Sequence, residues 1–391
     1  MGVHMIVHGD VAAGFERVQH AFGANFDQHG DVGAAFALFV GGTKVVDIWG
    51  GVADVKKDRE WDADTLTLVY SASKGITAIV AHLLAKRGEL DLDAPVVSYW
   101  PEFGTEGKQD VPVRWLLSHR TGLPTFERRI TVDEALAWEP AVEALATQRP
   151  LWEPGTTYGY HALTYGWLVG EVIRRATGRS LSRILAEDIS NPLGLDLWIG
   201  LPASEESRVS RLIAATPPVL DEAALAVIPS DQLRRMRESA DPSSLAFRTL
   251  NPTHPPFNFN SPALHAGELG AANAITTARA LAKLYASTLS EVDGIRVLDP
   301  ATVAAATKEQ SSGTDFVMGT PGRFGTGFQL PFDGSLMGPS SYGHAGAGGS
   351  LAFADPEAGV AFAYVMNRMQ IFLGPDPRTR GLIEAVRQAV A

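Results

Sequence analysis

The chain has 391 residues, enough for two or three domains at about 150 residues each and for a large core without staples. It contains no cysteine, which excludes disulfide frameworks, thiolate metal sites and cysteine nucleophiles. Lys and Arg number 33 against 44 Asp and Glu, a formal charge of −11, and this speaks against a nucleic-acid partner, whose binders cluster basic residues. No apolar run approaches the ~18 residues of a membrane span. Met1 to His8 carries no basic segment followed by an apolar stretch. The expectation is a soluble, cytoplasmic protein without membrane contact.

Along the chain, Ala12, Phe15, Val18, Phe22 and Phe26 recur at helical spacing and predict a helix over Val11 to Asp27. Ala34 to Val40 and Thr43 to Trp49 flank Gly41-Gly42 and predict a β-hairpin. Leu66 to Tyr70 reads as a strand running directly into Ser71. From Ser71 to Lys86 the period becomes helical, with Ile76, Ile79, Val80, Leu83 and Leu84 as the apolar stripe and Gly88 as the stop. The middle of the chain predicts helices at Val113 to Ser118, Val132 to Thr147, Leu163 to Thr177 and Leu181 to Asp188. Pro202 to Pro262 is proline-rich and too long for an ordinary connection, so it reads as an insertion. Helices are expected again at Thr277 to Ser290, Pro300 to Lys308 and Arg378 to Val390, and strands at Gly325 to Leu330, Ser350 to Ala354 and Val360 to Met366. This order suggests one sheet domain assembled from both chain ends, residues 1–90 and 265–391. A mainly helical domain, 91–264, is then inserted between them, with the long insertion around 200–262.

Several chemistries lack their motifs. There is no His-Glu-x-x-His, no phosphate loop, no dinucleotide fingerprint and no Gly-x-Ser-x-Gly elbow. No metal and no organic cofactor is expected. Asp91 and Asp93 read as turn acceptors, and His119 as a buried structural hydrogen-bonder. His254, Pro255, Pro256, Phe257 and Phe259 read as a packed loop of the insertion or the lining of a substrate mouth.

What is present is Ser71-Ala72-Ser73-Lys74 where a strand becomes a helix. Residues one helical turn apart share a face, so the Lys74 amine can reach the Ser71 hydroxyl. An ordinary lysine, with a pKa near ~10.4, is a poor base at neutral pH, but burial or a nearby cation lowers it. Taken alone, the pattern reads more readily as an N-capping serine followed by a solvated charge.

The company of the motif separates these readings. Tyr70-Ser71-Ala72-Ser73-Lys74-Gly75, Gly88-Glu89-Leu90-Asp91-Leu92-Asp93-Ala94-Pro95, and Leu116-Leu117-Ser118-His119-Arg120-Thr121-Gly122-Leu123-Pro124 stand in that order. Glu153 to Tyr160 then leads into Tyr165 to Gly170, and Gly343 to Ser350 into Ala354-Asp355-Pro356. Together these segments resemble the serine hydrolases related to class C β-lactamases and penicillin-binding proteins, above all the family VIII carboxylesterases, over roughly residues 30 to 370. The resemblance implies an α+β, β-lactamase-like fold: an antiparallel sheet flanked by helices plus an inserted, mainly helical domain. It implies Ser71 as nucleophile, Lys74 as its partner and Tyr160 as base, with Tyr158 the rival tyrosine. It also implies an oxyanion hole from the N–H groups of Ser71 and Ala347 on the strand of the third motif. His344 and Gly346 support that motif; His344 orients the tyrosine, assists a leaving group, or is structural.

Two departures from β-lactamases set the expected substrate. The second motif reads Tyr160-His161-Ala162 in place of Tyr-x-Asn, and the third reads His344-Ala345-Gly346 in place of Lys-Thr-Gly. The missing amide, cation and hydroxyl are the groups that grip a β-lactam, so the expected partner is a small neutral ester cleaved through a Ser71 acyl-enzyme. Alternatives within the fold are a D-stereospecific peptidase or amidase, a transesterase and a weak β-lactamase. Outside catalysis, the alternative is a penicillin-recognition-like binding protein. The oligomeric state is left open.

Overall fold

The computed structural model describes residues 6–216, 228–332, 337–371 and 375–391. Four strands come from the first sixty residues: β1 (His8–Val11), β2 (Gly33–Val40), β3 (Thr43–Asp54) and β4 (Arg59–Glu60). The hairpin of β2 and β3 is the one expected around Gly41-Gly42. Helix α1 (Glu16–His29) begins later than its apolar period suggests, because His8 to Val11 pair with Trp49 to Val46 of β3. A small sheet joins β5 (Thr67–Leu68), β6 (Leu197–Trp198) and β7 (Ile275–Thr276), with β7 central. A separate hairpin, β8 (Ser311–Thr314) and β9 (Pro321–Phe324), was not anticipated. Its apolar content is too low to betray a strand. Then β10 (Tyr342–Ala345), β11 (Leu351–Asp355) and β12 (Val360–Met366) complete the large antiparallel sheet, ordered β1-β3-β2-β12-β11-β10 with β4 on β3. Strands from the two chain ends meet where β2 pairs with β12.

The two faces of this sheet differ in residue size. Ala35, Ala37, Ala352, Ala354, Ala361 and Ala363 share one face and belong to the main core. These small side chains let the helix Ala278–Leu289 pack closely on β2, β11 and β12, while α2 (Ala72–Lys86) lies against β10. The opposite face carries Phe36, Leu38, Phe353, Phe362 and Tyr364, and it packs on Val18 and Phe22 of α1 and Leu382 and Val386 of the C-terminal helix Pro377–Val390. With both faces covered, β2 reads as an unbroken apolar run, since neither side can be polar.

The rest of the chain is largely helical around α2. It includes α3 (Val113–Leu117), α4 (Val132–Leu136), α5 (Glu139–Thr147) and α6 (Thr164–Thr177). One helix was expected over Val132 to Thr147; it breaks at Trp138, whose φ is 73°. Pro140 cannot continue a helix already under way, and the Trp138 indole N–H donates to buried Glu171 at 2.8 Å. The strand expected over Gly325 to Leu330 is also absent. Gly325 donates to Phe328 across a turn with Gly327 at φ 89°, and Gln329 alone bridges to Gly343. The insertion contains helices at Ser230–Ala240 and Leu245–Leu250; its residues 217–227 lie outside the described ones. No helix among the described residues is long and apolar enough to cross a membrane.

Candidate active site

Strand β5 continues through Val69, whose N–H donates to Ala274 at 3.0 Å, and then turns sharply. Tyr70 adopts φ 47°, a left-handed conformation that costs on the order of 1 kcal/mol or more for a non-glycine residue. Its ring packs on Phe259, 4.7 Å between centroids; Phe257 and Phe259 pack against the core, and none of His254, Pro255, Pro256, Phe257 and Phe259 lines the cavity at Ser71. The turn places Ser71 at the N-cap of α2. There its hydroxyl makes no capping bond, and the N–H has no acceptor within the helix. Ser73, by contrast, is fully buried and structurally engaged. It donates to the Tyr70 carbonyl and accepts from the Ala274 N–H at 2.9 Å.

Lys74 is wholly buried, so the solvated-charge reading fails. Its Nζ lies 3.2 Å from Ser71 Oγ, 2.7 Å from the Ala162 carbonyl and 2.9 Å from the Ala271 carbonyl. No carboxylate among the described residues pairs with it, and burial pushes its pKa well below the usual lysine value. A neutral amine has two N–H groups and one lone pair. The two carbonyls take the N–H groups, and the lone pair remains for the Ser71 proton.

Tyr160 lines the same cavity as Ser71, and its ring centroid lies 4.8 Å from Lys74 Nζ. Burial raises the phenol's pKa above its ordinary value, and the negative charge of Asp315 adds to the effect. Tyr158, the rival, reaches the same cavity, but its hydroxyl donates to the Gly313 carbonyl at 2.7 Å. Asp315, in the loop of the β8–β9 hairpin, escaped the sequence reading. Its carboxylate accepts from the Tyr160 N–H at 2.8 Å and from the N–H groups of Val317 and Met318, tying the loop to the tyrosine. In sequence it is one aspartate ahead of a glycine turn, with nothing to connect it to Tyr160.

His119 is buried beneath Tyr160, 4.8 Å between centroids, and its Nδ1 accepts from the His161 N–H at 3.2 Å. It is the structural hydrogen-bonder expected. Ala162 stands where the family has its amide, and His161 before it points inward: Nδ1 donates to the Gly159 carbonyl, and Nε2 accepts from the Leu123 N–H and the Thr121 hydroxyl.

On the other side of Ser71, β10 carries His344 and Gly346 follows it. His344 donates from Nδ1 to the Ala345 carbonyl at 2.7 Å, and its buried Nε2 has no hydrogen-bond partner among the described residues. Burial, reinforced by Lys74, lowers its pKa to about 3, so the ring is neutral. Its centroid is 6.2 Å from that of Tyr160, a neighbour without a direct bond. Ala347 opens a short 3₁₀ turn and lines the same cavity as Ser71. A Cβ on Gly346 would stand 2.1 Å from the Val69 carbonyl. The absence of a side chain therefore lets the third-motif segment lie against the turn that presents Ser71. Gly346→Ala is expected to lower unfolding free energy by about 1–3 kcal/mol, the usual range for overpacking, read by urea denaturation. An unchanged midpoint would show that the two segments can part without cost.

The cavity measures about 420 Å³ and runs from Ser71 and Tyr160 to Leu250, Met318 and Phe332. Arg323 is the only cation among the described residues lining it, and its Nε is paired with Glu309 at 2.5 Å.

A serine on a helix N-terminus, a buried lysine one turn on and a tyrosine from the helical side define the class of serine hydrolases to which β-lactamases belong. Residues 18–385 match the beta-lactamase family model, and the chain belongs to that family. It is 36% identical to Esterase/beta-lactamase LipL of Mycobacterium tuberculosis, over 98% of this chain and 89% of that protein. A family VIII carboxylesterase crystal structure superposes with a TM-score of 0.85 at 36% identity, covering 98% of this chain and all (100%) of the other. A penicillin-binding protein homolog from Caulobacter crescentus gives 0.87, again at 36% identity, with coverage of 98% and 100%.

Proposed function

We propose that the chain hydrolyses small neutral carboxylic esters through an acyl-enzyme on Ser71. The observation that carries this is the Lys74 amine, buried with no paired carboxylate among the described residues, its N–H groups held by two carbonyls and its remaining valence toward Ser71 Oγ. The family resemblance implied Tyr160 as base. Burial and the adjacent Asp315 disfavour a tyrosinate, so the neutral lysine takes the part of base.

In the first step Ser71 Oγ bonds to the ester carbonyl carbon while its proton passes to Lys74. The oxyanion is met by the N–H groups of Ser71 and Ala347, donors worth several kcal/mol because the charge arises only in the transition state. The Tyr160 hydroxyl hands a proton to the departing alkoxide and is reprotonated from Lys74. Water then adds to the acyl carbon by the reverse route and frees the acid. The esterase names carried by LipL and the carboxylesterase structure support this substrate class.

The cavity supports a neutral substrate. Its wall is more apolar than polar, and the one cation among its described lining residues, Arg323, is already paired with Glu309, which leaves no unpaired cation there to clamp a carboxylate. The kcat/KM for p-nitrophenyl acetate or butyrate is expected to exceed that for a chromogenic cephalosporin by about 100-fold or more, a difference of roughly 2.7 kcal/mol in transition-state stabilisation. Both are measured under one set of conditions. Equal or better turnover of the cephalosporin would assign Arg323 or His344 the role of the missing lysine and make the chain a β-lactamase.

A further inference from the structure

Arg378, in the first turn of the C-terminal helix, is fully buried and takes no part in the chemistry above. Its Nη1 lies 2.8 Å from Asp31, with neither side chain open to solvent, and its Nη2 lies 2.7 Å from Asp376. Asp31 also accepts from the Tyr364 hydroxyl on β12. Such a buried ionic group is poor evidence of a stabilising role, because an apolar replacement is often as stable or more so. Its other bonds suggest what it does instead. Nη1 donates to the Arg368 carbonyl at 3.2 Å, and Nη2 donates to the carbonyl of Gly348.

Gly348 follows Ala347 in the turn that closes the cavity beside Ser71. Its carbonyl also accepts from the Gln370 N–H at 3.1 Å. The guanidinium lies directly against this turn: a Cβ on Gly349 would stand 2.0 Å from Nη2, and one on Gly348 would stand 2.7 Å from the Met369 side chain. On the opposite side, the Val69 carbonyl occupies the space a Gly346 side chain would need. The turn is gripped between the segment presenting Ser71 and a buried guanidinium.

We infer that Arg378, anchored by Asp31 and Asp376, is a positioning residue that fixes the Ala347 N–H for the oxyanion; this rests on the Ser71 acyl-transfer reading. Two carboxylates offset its charge, so it acts through the turn and not through its own field. A rigid fork of donors suits that task. A lysine keeps the charge but cannot direct bonds to the carboxylates and the Gly348 carbonyl together.

The test compares wild type, Arg378→Met and Arg378→Lys in the full chain. Active sites are counted by the mass added to Ser71 by a fluorophosphonate probe. With p-nitrophenyl butyrate, kcat per labelled site is expected to fall about 100-fold in Arg378→Met, as when an oxyanion donor is lost. The loss in Arg378→Lys is expected to be intermediate. KM should stay within about twofold, and the rate of probe attachment should fall in parallel with kcat. A folded Arg378→Met variant with wild-type kcat per labelled site overturns the inference, whatever its Tm. Should that variant be insoluble, Asp376→Asn keeps an N-cap acceptor and removes one charged partner of Arg378. It is expected to lose about threefold to tenfold in kcat by the same logic, and an unchanged kcat there overturns the inference equally. A probe that labels wild type at another residue overturns the acyl-transfer reading itself, a result distinct from either of these.

Discussion

Ser71→Ala is expected to lose p-nitrophenyl ester hydrolysis by about 10⁵–10⁶-fold in kcat, the scale seen when a catalytic serine is removed, while the thermal transition hardly moves. The second half follows from geometry. An N-cap serine usually contributes about 1 kcal/mol, but Ser71 makes no cap bond, so alanine removes only the 3.2 Å contact with Lys74, which keeps its two carbonyl partners. Ser73→Ala should behave in the opposite way. Its hydroxyl joins the Tyr70 carbonyl to the Ala274 N–H, and its loss strands a buried donor at a cost of about 1–3 kcal/mol, while leaving Ser71 able to acylate. Melting curves and turnover of the two variants check both halves. Full activity in Ser71→Ala, or a probe adduct on Ser73, would move the nucleophile.

Lys74→Met and Tyr160→Phe are each expected to lower kcat by about 10²–10⁴-fold, the range for a positioned proton carrier, with little change in KM. The wild-type pH profile should carry an acid limb from Lys74. The neutral amine is the active form, so kcat/KM declines as pH falls through its lowered pKa, and the limb should vanish in Lys74→Met. Stability follows the same group with a definite sign. Between the lowered folded value and the ordinary unfolded one, the unfolded chain binds more protons, so stability rises with pH. The contribution is complete above the unfolded pKa and is lost as pH falls through the folded one. Tyr158→Phe should cost far less than Tyr160→Phe, because its hydroxyl is committed to Gly313. A silent Tyr160→Phe beside an inactive Tyr158→Phe would reverse their parts.

Local signals carried much of this architecture. The hairpin across Gly41-Gly42, the helix after Ser71 and the closing strands announce themselves through turn chemistry and period. The order of short motifs from Tyr70 to Ser350 then pointed to the family and to the cluster of Ser71, Lys74 and Tyr160. Three-dimensional pairings stayed hidden. Nothing in the chain connects Asp315 with the Tyr160 N–H, or Arg378 with the Gly348 carbonyl, because each bond spans a long stretch of sequence. The break at Trp138 was missed because a helical apolar period outweighed one proline. The β8–β9 hairpin was missed because a polar, glycine-containing ribbon has no apolar alternation to read.

The alanine face of the sheet bears on how this enzyme's range of substrates can change. It seats the helix Ala278–Leu289 close against the sheet, and α2 is enclosed in the same core, with Ala72 to Leu84 all buried. Ser71 and Lys74, the proposed nucleophile and base, thus ride on a well-shielded element, of the kind that opens only with much of its surroundings. Leu250, Met318 and Phe332, at the far wall of the cavity, lie outside the core clusters, and Leu250 and Phe332 face solvent. Side chains there can be exchanged for larger or smaller ones without touching the packing that holds Ser71 and Lys74. Tolerance for new acyl groups and retention of the reaction are therefore stored in different parts of the chain, and one can drift while the other stays fixed.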